Sequence, residues 1–140
     1  MAVLKLHTND AFLVGDVVTL RDRMQLMTVE GVRPGPFGLV IDCCWFEGED
    51  SLRFSSFPAA SVDVFPRPSP ERAITSGAEV RLRSRGPVMS VGRLRKRDGV
   101  RLAECIWSGP TGIDRRRLFP TSGLVFTLME RFQTEGGEEY

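Results

Sequence analysis

GDVVTLRDRMQLMTVEGV at residues 15–32 and GAEVRLRSRGPVMSVGRL at residues 77–94 are one pattern written twice. Gly15 pairs with Gly77, Val18 with Val80, Leu20 with Leu82, Met27 with Met89 and Val29 with Val91. Working outward, residues 12–65 and 74–126 align at a constant offset of 62 without a gap. That offset lays Cys43 on Cys105, Trp45 on Trp107 and Phe57-Pro58 on Phe119-Pro120. A repeat this long is a small folding unit copied, not a solenoid turn. Each copy of about 55 residues sits near the lower size at which a domain buries enough surface to fold alone. The two copies are therefore expected to pack together and share buried surface.

Within each copy the apolar positions recur with a period of two. Val18 and Leu20 alternate with Thr19 and Arg21, and Ile41, Cys43 and Trp45 alternate with Asp42 and Cys44. That period predicts strands. In the second copy they fall near residues 78–83, 87–96, 100–107, 113–118 and 123–128, and Asp98-Gly99 is a favoured two-residue hairpin turn. In the first copy RPGPFG at 33–38 reads as a turn, because proline and glycine punctuate it. Five short strands with little amphipathic helix predict a mostly β protein, built of two tandem small five-stranded β-barrels. The organisation expected is a lead-in at 1–11, a first module at 12–65, a proline-rich linker at 66–73, a second, basic module at 74–128 and an acidic tail at 129–140. LVFTLMERF at 124–132 starts as a strand by the repeat, although its Leu124, Leu128 and Phe132 would also suit a helix.

The net charge of +1 hides an uneven distribution. Residues 1–70 carry six Lys/Arg and nine Asp/Glu, net −3, whereas residues 71–140 carry thirteen and nine, net +4. The copies thus combine similar cores with opposite surfaces, which is the main functional signal of the chain. No apolar run reaches the roughly 20 residues of a membrane helix, and MAVLKLHTND does not read as a secretory signal. A cytoplasmic location is the expectation. The three cysteines, two of them adjacent at Cys43-Cys44, do not form a disulfide framework and read as reduced, partly buried thiols.

GDVVTLRD at 15–22, MTVEGV at 27–32, CCWF at 43–46 and FP at 57–58 together resemble the YodC-like family, small bacterial proteins grouped as a domain of unknown function. The first copy departs from that pattern at DRMQ (22–25), the second at Ala78-Glu79 and Ser108. The resemblance implies an SH3-like small barrel in each copy and carries no enzyme activity with it. The tandem form departs from the usual single module.

Catalytic constellations are thin. The single histidine, His7, lies outside both copies, which speaks against a Ser–His or Cys–His dyad. There is no Cys-x-x-Cys, His-x-x-x-His or phosphate-binding glycine loop. No enzyme activity, cofactor or metal is expected. Asp42, Glu47, Glu49 and Asp50 read as a solvated acidic turn. Trp45 and Trp107, each two residues after a cysteine, read as core anchors more readily than as a binding face.

What the copies do not share carries the functional expectation. The basic strand and hairpin residues Arg81, Arg93, Arg95, Lys96, Arg97, Arg101, Arg115, Arg116 and Arg117 form the expected contact surface of the second module. Phe46 and Phe54 stand where the second copy has Ser108 and Arg116, and are expected as an apolar patch on the first. The reading is a non-enzymatic adaptor or inhibitor acting by protein–protein interaction on an acidic protein, in the manner of a phage or mobile-element product. An RNA- or DNA-binding small barrel and a self-assembling structural protein are the alternatives.

Overall fold

The computed structural model describes residues 12–48, 50–66 and 73–127. Ten strands build two antiparallel sheets, one per copy. The first contains β1 (Val17–Leu20), β2 (Leu26–Gly35), β3 (Gly38–Glu47), β4 (Ser51–Pro58) and β5 (Val62–Val64). The second contains β6 (Glu79–Leu82), β7 (Met89–Arg97), β8 (Val100–Ser108), β9 (Asp114–Pro120) and β10 (Leu124–Phe126). A short 3-10 turn precedes the last strand of each sheet, at Ala59–Ser61 and Thr121–Gly123. The orders are β4-β3-β2-β1-β5 and β9-β8-β7-β6-β10, so the topology is repeated too.

The same local geometry recurs in detail. Gly15 N–H donates to Val29 O and Gly77 N–H to Val91 O. Both long hairpins shift register at the same place, between Val29 and Gly31 and between Val91 and Leu94. Asp98 (φ 53) and Gly99 (φ 80) both adopt left-handed backbone, the geometry of the expected two-residue turn.

Two expectations are corrected. Neither sheet is closed into a barrel: each is an open five-stranded ladder whose edge strands do not pair. The fifth strands have only three residues and spend their pairing on β1 and β6. Pro58 and Pro120 end β4 and β9 and have no N–H to donate across a seam. The stretch 33–38 is also not all turn: β2 runs to Gly35 and β3 starts at Gly38, with Pro34 opposite Leu39. The lead-in, most of the linker, the tail and the end of 124–132 lie outside the described residues.

Each sheet has an apolar face. In the first half Val18, Met27, Val29, Ile41 and Cys43 are buried together, with Trp45 and Phe57 partly buried against them. In the second half Val80, Leu82, Met89, Cys105, Trp107 and Phe119 are buried in a cluster that also takes in Cys44 and Phe46 of the first half. The halves therefore share one buried surface, as their size required.

Candidate functional site

The internal interface explains several of the residues that set the copies apart. Alternation along β3 sends Ile41 and Cys43 into the first half's own core and sends Cys44 and Phe46 the other way, onto the second half. Phe46 is only 8% exposed and meets the Trp107 ring edge-on, with centroids 5.2 Å apart, and the Phe119 ring at 6.3 Å. Gly86 makes room for it: a Cβ there would lie 2.5 Å from Phe46 Cδ2. Phe46 is thus a core residue shared between halves and not part of an exposed patch. Phe54 is 56% exposed, but the Arg117 guanidinium lies over its ring, 4.5 Å from the centroid.

Polar contacts close the same interface. Thr28 and Ser84 hydroxyls, both buried, are 2.7 Å apart. Ser122 Oγ donates to Val14 O at 2.8 Å. Arg117 grips Glu30 with both terminal nitrogens, one of them 2.9 Å from Oε1. The register shift in β2 falls at Glu30, and such bulges re-aim a side chain. Arg115 Nε donates to Asp50 Oδ1 at 2.9 Å. Alternation along β9 turns Arg116 the other way, where it faces Glu104 at 3.7 Å.

The expected basic surface is therefore divided. Arg115 and Arg117 are engaged inside the molecule, and part of the opposite charge of the halves is spent on their own docking. Arg81 is half-buried on β6, and β6 ends at Leu82, so Arg83 and Arg85 lie in the following turn and do not continue a strand face. The remaining five, Arg93, Arg95, Lys96, Arg97 and Arg101, are all exposed on the β7–β8 hairpin. None makes an ion pair among the described residues. Register sets Lys96 directly opposite Arg101 and Arg95 opposite Leu102. Leu94, 46% exposed, stands among them. The equivalent hairpin of the first half is differently equipped: Arg33 is paired with Asp42, and the tip is Pro36-Phe37.

Of the first half's partners in the interface, Thr28 and Glu30 escaped the sequence reading, and Asp50, expected in a solvated acidic turn, is instead sheltered and paired with Arg115. A signal existed, since their counterparts are Ser90, Gly92 and Gly112 and so differ between copies. Nothing in one sequence says that such differences meet each other.

The thiols are inert in this setting. Burial pushes Cys43 and Cys105 up to about 12, and nearby carboxylates (Asp42 and Glu30 for the first, Glu104 for the second) add to it. Cys44 is raised further, first by burial and then by Glu30. All three stay protonated near neutral pH, which withholds the thiolate that nucleophilic attack needs. Burial would raise Asp42, but hydrogen bonds from Ser56 and Arg33 outweigh it and hold that carboxyl below its ordinary value. Among the described residues no group of three or more His, Cys, Asp or Glu is placed to hold a metal. No helix there is long and apolar enough to cross a membrane.

No family model, no curated protein and no solved structure matches this chain.

Proposed function

We propose that this chain is a non-enzymatic binding protein that engages an acidic protein partner through the β7–β8 hairpin. The observation that carries the reading is Lys96 facing Arg101 across the ladder, within five exposed cations that have no ion-pair partner among the described residues. Like charges directly opposite each other destabilise a sheet. The fold gains nothing from this arrangement, and an anionic surface would relieve it. Arginine forks onto carboxylates, and steering by such a cluster speeds encounter. Leu94 within the cluster offers an apolar contact, while the hairpin's one aromatic side chain, Trp107, is buried and presents no face on which a base could stack. These features favour a protein over a nucleic acid. Binding would act by occlusion or bridging.

We read each half as an SH3-like sheet that has not closed. The strand order and the 3-10 turn before the fifth strand support this reading. The YodC-like resemblance rests on its motif residues. Of these Met27, Cys43 and their second-copy counterparts are buried in the cores.

The test is a pulldown from host lysate, with and without nuclease, using the intact chain and the variant Arg95→Glu/Lys96→Glu/Arg97→Glu. The expected result is capture of acidic proteins that survives nuclease and is lost on charge reversal. Capture that nuclease abolishes, with retention on duplex DNA or RNA that falls steeply with salt, would assign the hairpin to nucleic acid instead. Capture unaffected by charge reversal would remove the hairpin from the contact surface.

A further inference from the structure

The chain leaves β10 heading for the basic hairpin, and the segment that leaves is acidic. β10 pairs with β6 so that Phe126 lies opposite Val80, and β6 pairs with β7 so that Val80 lies opposite Met89. Both pairings are antiparallel, so β10 and β7 point the same way. Thr127 fixes the exit. Its hydroxyl donates to the Glu79 carboxylate at 2.9 Å, and Glu79 stands opposite Ser90. From Ser90, β7 runs on through Arg93, Arg95, Lys96 and Arg97, and Arg101 returns opposite Lys96. The segment 128–140, LMERFQTEGGEEY, carries Glu130, Glu135, Glu138 and Glu139 against one base, Arg131.

Length agrees with direction. The strand from Ser90 to Arg97 spans about 23 Å, and the two strand spacings from β10 to β7 about 10 Å. Arg97 thus lies about 25 Å from the exit at Thr127. Fully extended, 128–140 reaches about 43 Å. With 128–132 as a helix and the rest extended it still reaches about 34 Å. Either way Glu138 and Glu139 can meet the tip, and Glu135 the cations nearer the sheet. Arg83 and Arg85, which line the cavity beside Val125, lie behind the exit: they follow Leu82, which is opposite Leu124 where β10 begins.

The first half is the internal control. β5 leaves its sheet in the same sense, toward the β2–β3 hairpin. The segment after it, PRPSPER at 66–72, is proline-rich and carries two bases and one acid. That hairpin supplies its own acid, since Arg33 holds Asp42. The hairpin whose cations make no ion pair among the described residues is the one followed by an acidic segment.

We propose that the acidic segment 135–139 folds back onto the β7–β8 hairpin and occupies its cations until a more strongly acidic partner displaces it. This regulation rests on the hairpin's being the contact surface, but the contact itself needs no partner. Tethering supplies the carboxylates at an effective concentration near the millimolar range, so even weak pairing competes. Apparent affinity for an outside anion then falls with the fraction of hairpins left open. A sparsely acidic protein is refused and a densely acidic one admitted, which gives a charge cluster the selectivity it otherwise lacks.

The test neutralises the segment within the full chain. Glu135→Gln/Glu138→Gln/Glu139→Gln removes its charge, keeps its size and leaves 128–134 untouched. Amide NMR of the natural chain against this variant reads the contact with no partner present. The expected result is movement of the peaks of residues 93–101, with those of both cores in place. The difference should not depend on protein concentration. It should vanish in about 1 M NaCl, where the screening length is about 3 Å. Fluorescence anisotropy with a labelled deca-glutamate peptide reads the competition, and the variant should bind about three- to tenfold more tightly than the natural chain. Unmoved hairpin peaks overturn the proposal, as does equal peptide affinity. Shifts confined to Arg81, Arg83 and Arg85 would place the segment in their cavity. Shifts that grow with concentration would assign it to a second copy. Either result overturns the proposal too. The two readings fail separately. Hairpin shifts with a pulldown that captures nothing keep the contact and remove the outside partner. Capture that charge reversal abolishes, without hairpin shifts, keeps the partner and removes the contact.

Discussion

Trp45 and Trp107 occupy one position of one repeated sheet, yet Trp107 is 4% exposed and Trp45 is only half-buried. The strands beneath them pair alike, in order and nearly in register. What differs is the neighbour. Phe46 crosses from the first half to cover Trp107, and no described residue does the same for Trp45. Repetition thus fixes where a side chain sits in its sheet, and asymmetric docking fixes what surrounds it. The second half leans on the first for part of its core. The first owes the second a surface for Cys44 and Phe46.

The sharpest way to break this comparison is Phe46→Ala. The substitution leaves a cavity against Trp107, Phe119 and Gly86. Loss of a buried Phe side chain typically costs about 3–5 kcal/mol, a large share of the roughly 5–15 kcal/mol that holds a small protein folded. Because the lost side chain belongs to one half and the cavity opens in the other, chemical denaturation should show one cooperative transition moved to lower denaturant. Two transitions, with only the second half's shifted, would mean that the halves fold independently. Phe54→Ala, at a more exposed site, is the control. It should cost about 1 kcal/mol or less, mainly through the lost contact with Arg117.

Charge gives the intermediate effect. Arg117 and Glu30 are mostly sheltered at the interface, with side chains 30% and 19% exposed, whereas Arg21 and Asp63 lie on the surface at 64% and 58%. Glu30→Gln removes a fork of two charge-assisted hydrogen bonds and leaves Arg117 short of its partner. The expected loss is about 1–3 kcal/mol, below the range for fully buried pairs because some solvent screening remains. Asp63→Asn in the same assay should cost less than about 1 kcal/mol. A double-mutant cycle of Glu30→Gln with Arg117→Gln measures the coupling directly. A coupling no larger than that of Arg21 with Asp63 would remove this pair from the forces that join the halves.

These effects follow the line between what the sequence displayed and what it hid. Strand positions were legible to within two or three residues, because Val, Ile and Met recur with a period of two in both copies and each copy checks the other. The Asp98-Gly99 turn was legible from chemistry alone. Closure was not: a ladder's ends pair or stay open according to strand length and the prolines at Pro58 and Pro120, which the alternation does not report. Phe46 was misplaced for a related reason. Its absence from the second copy reads, in the sequence, as a sign that the shared fold does not need it. In the structure the asymmetry is itself structural, since a head-to-tail contact uses one face of one half and a different face of the other. The same holds for Arg115 and Arg117, which belonged by composition to a basic run and by geometry to Asp50 and Glu30. Arg93, Arg95, Lys96, Arg97 and Arg101 remain exposed, as the sequence suggested, because the β7–β8 arm places them at or near its tip.

The smallest expected effect bears on that arm and has the opposite sign. Lys96 and Arg101 face each other across the ladder, both exposed. Lys96→Glu exchanges a repulsive cross-strand pair for an attractive one, worth about 0.2–1 kcal/mol for such pairs. It also puts an acid among Arg95, Arg97 and Arg101. The variant should therefore be slightly more stable than the natural chain, with the gain shrinking as salt screens it. Arg33→Glu on the first half's hairpin should do the reverse, because Arg33 already has its acid in Asp42. If Lys96→Glu is destabilising at low salt, the repulsion inferred from the register is absent and the case for an outside anion weakens with it. If it stabilises while reducing partner capture, the cluster is shown to sacrifice stability for binding, a trade the first half's hairpin does not make.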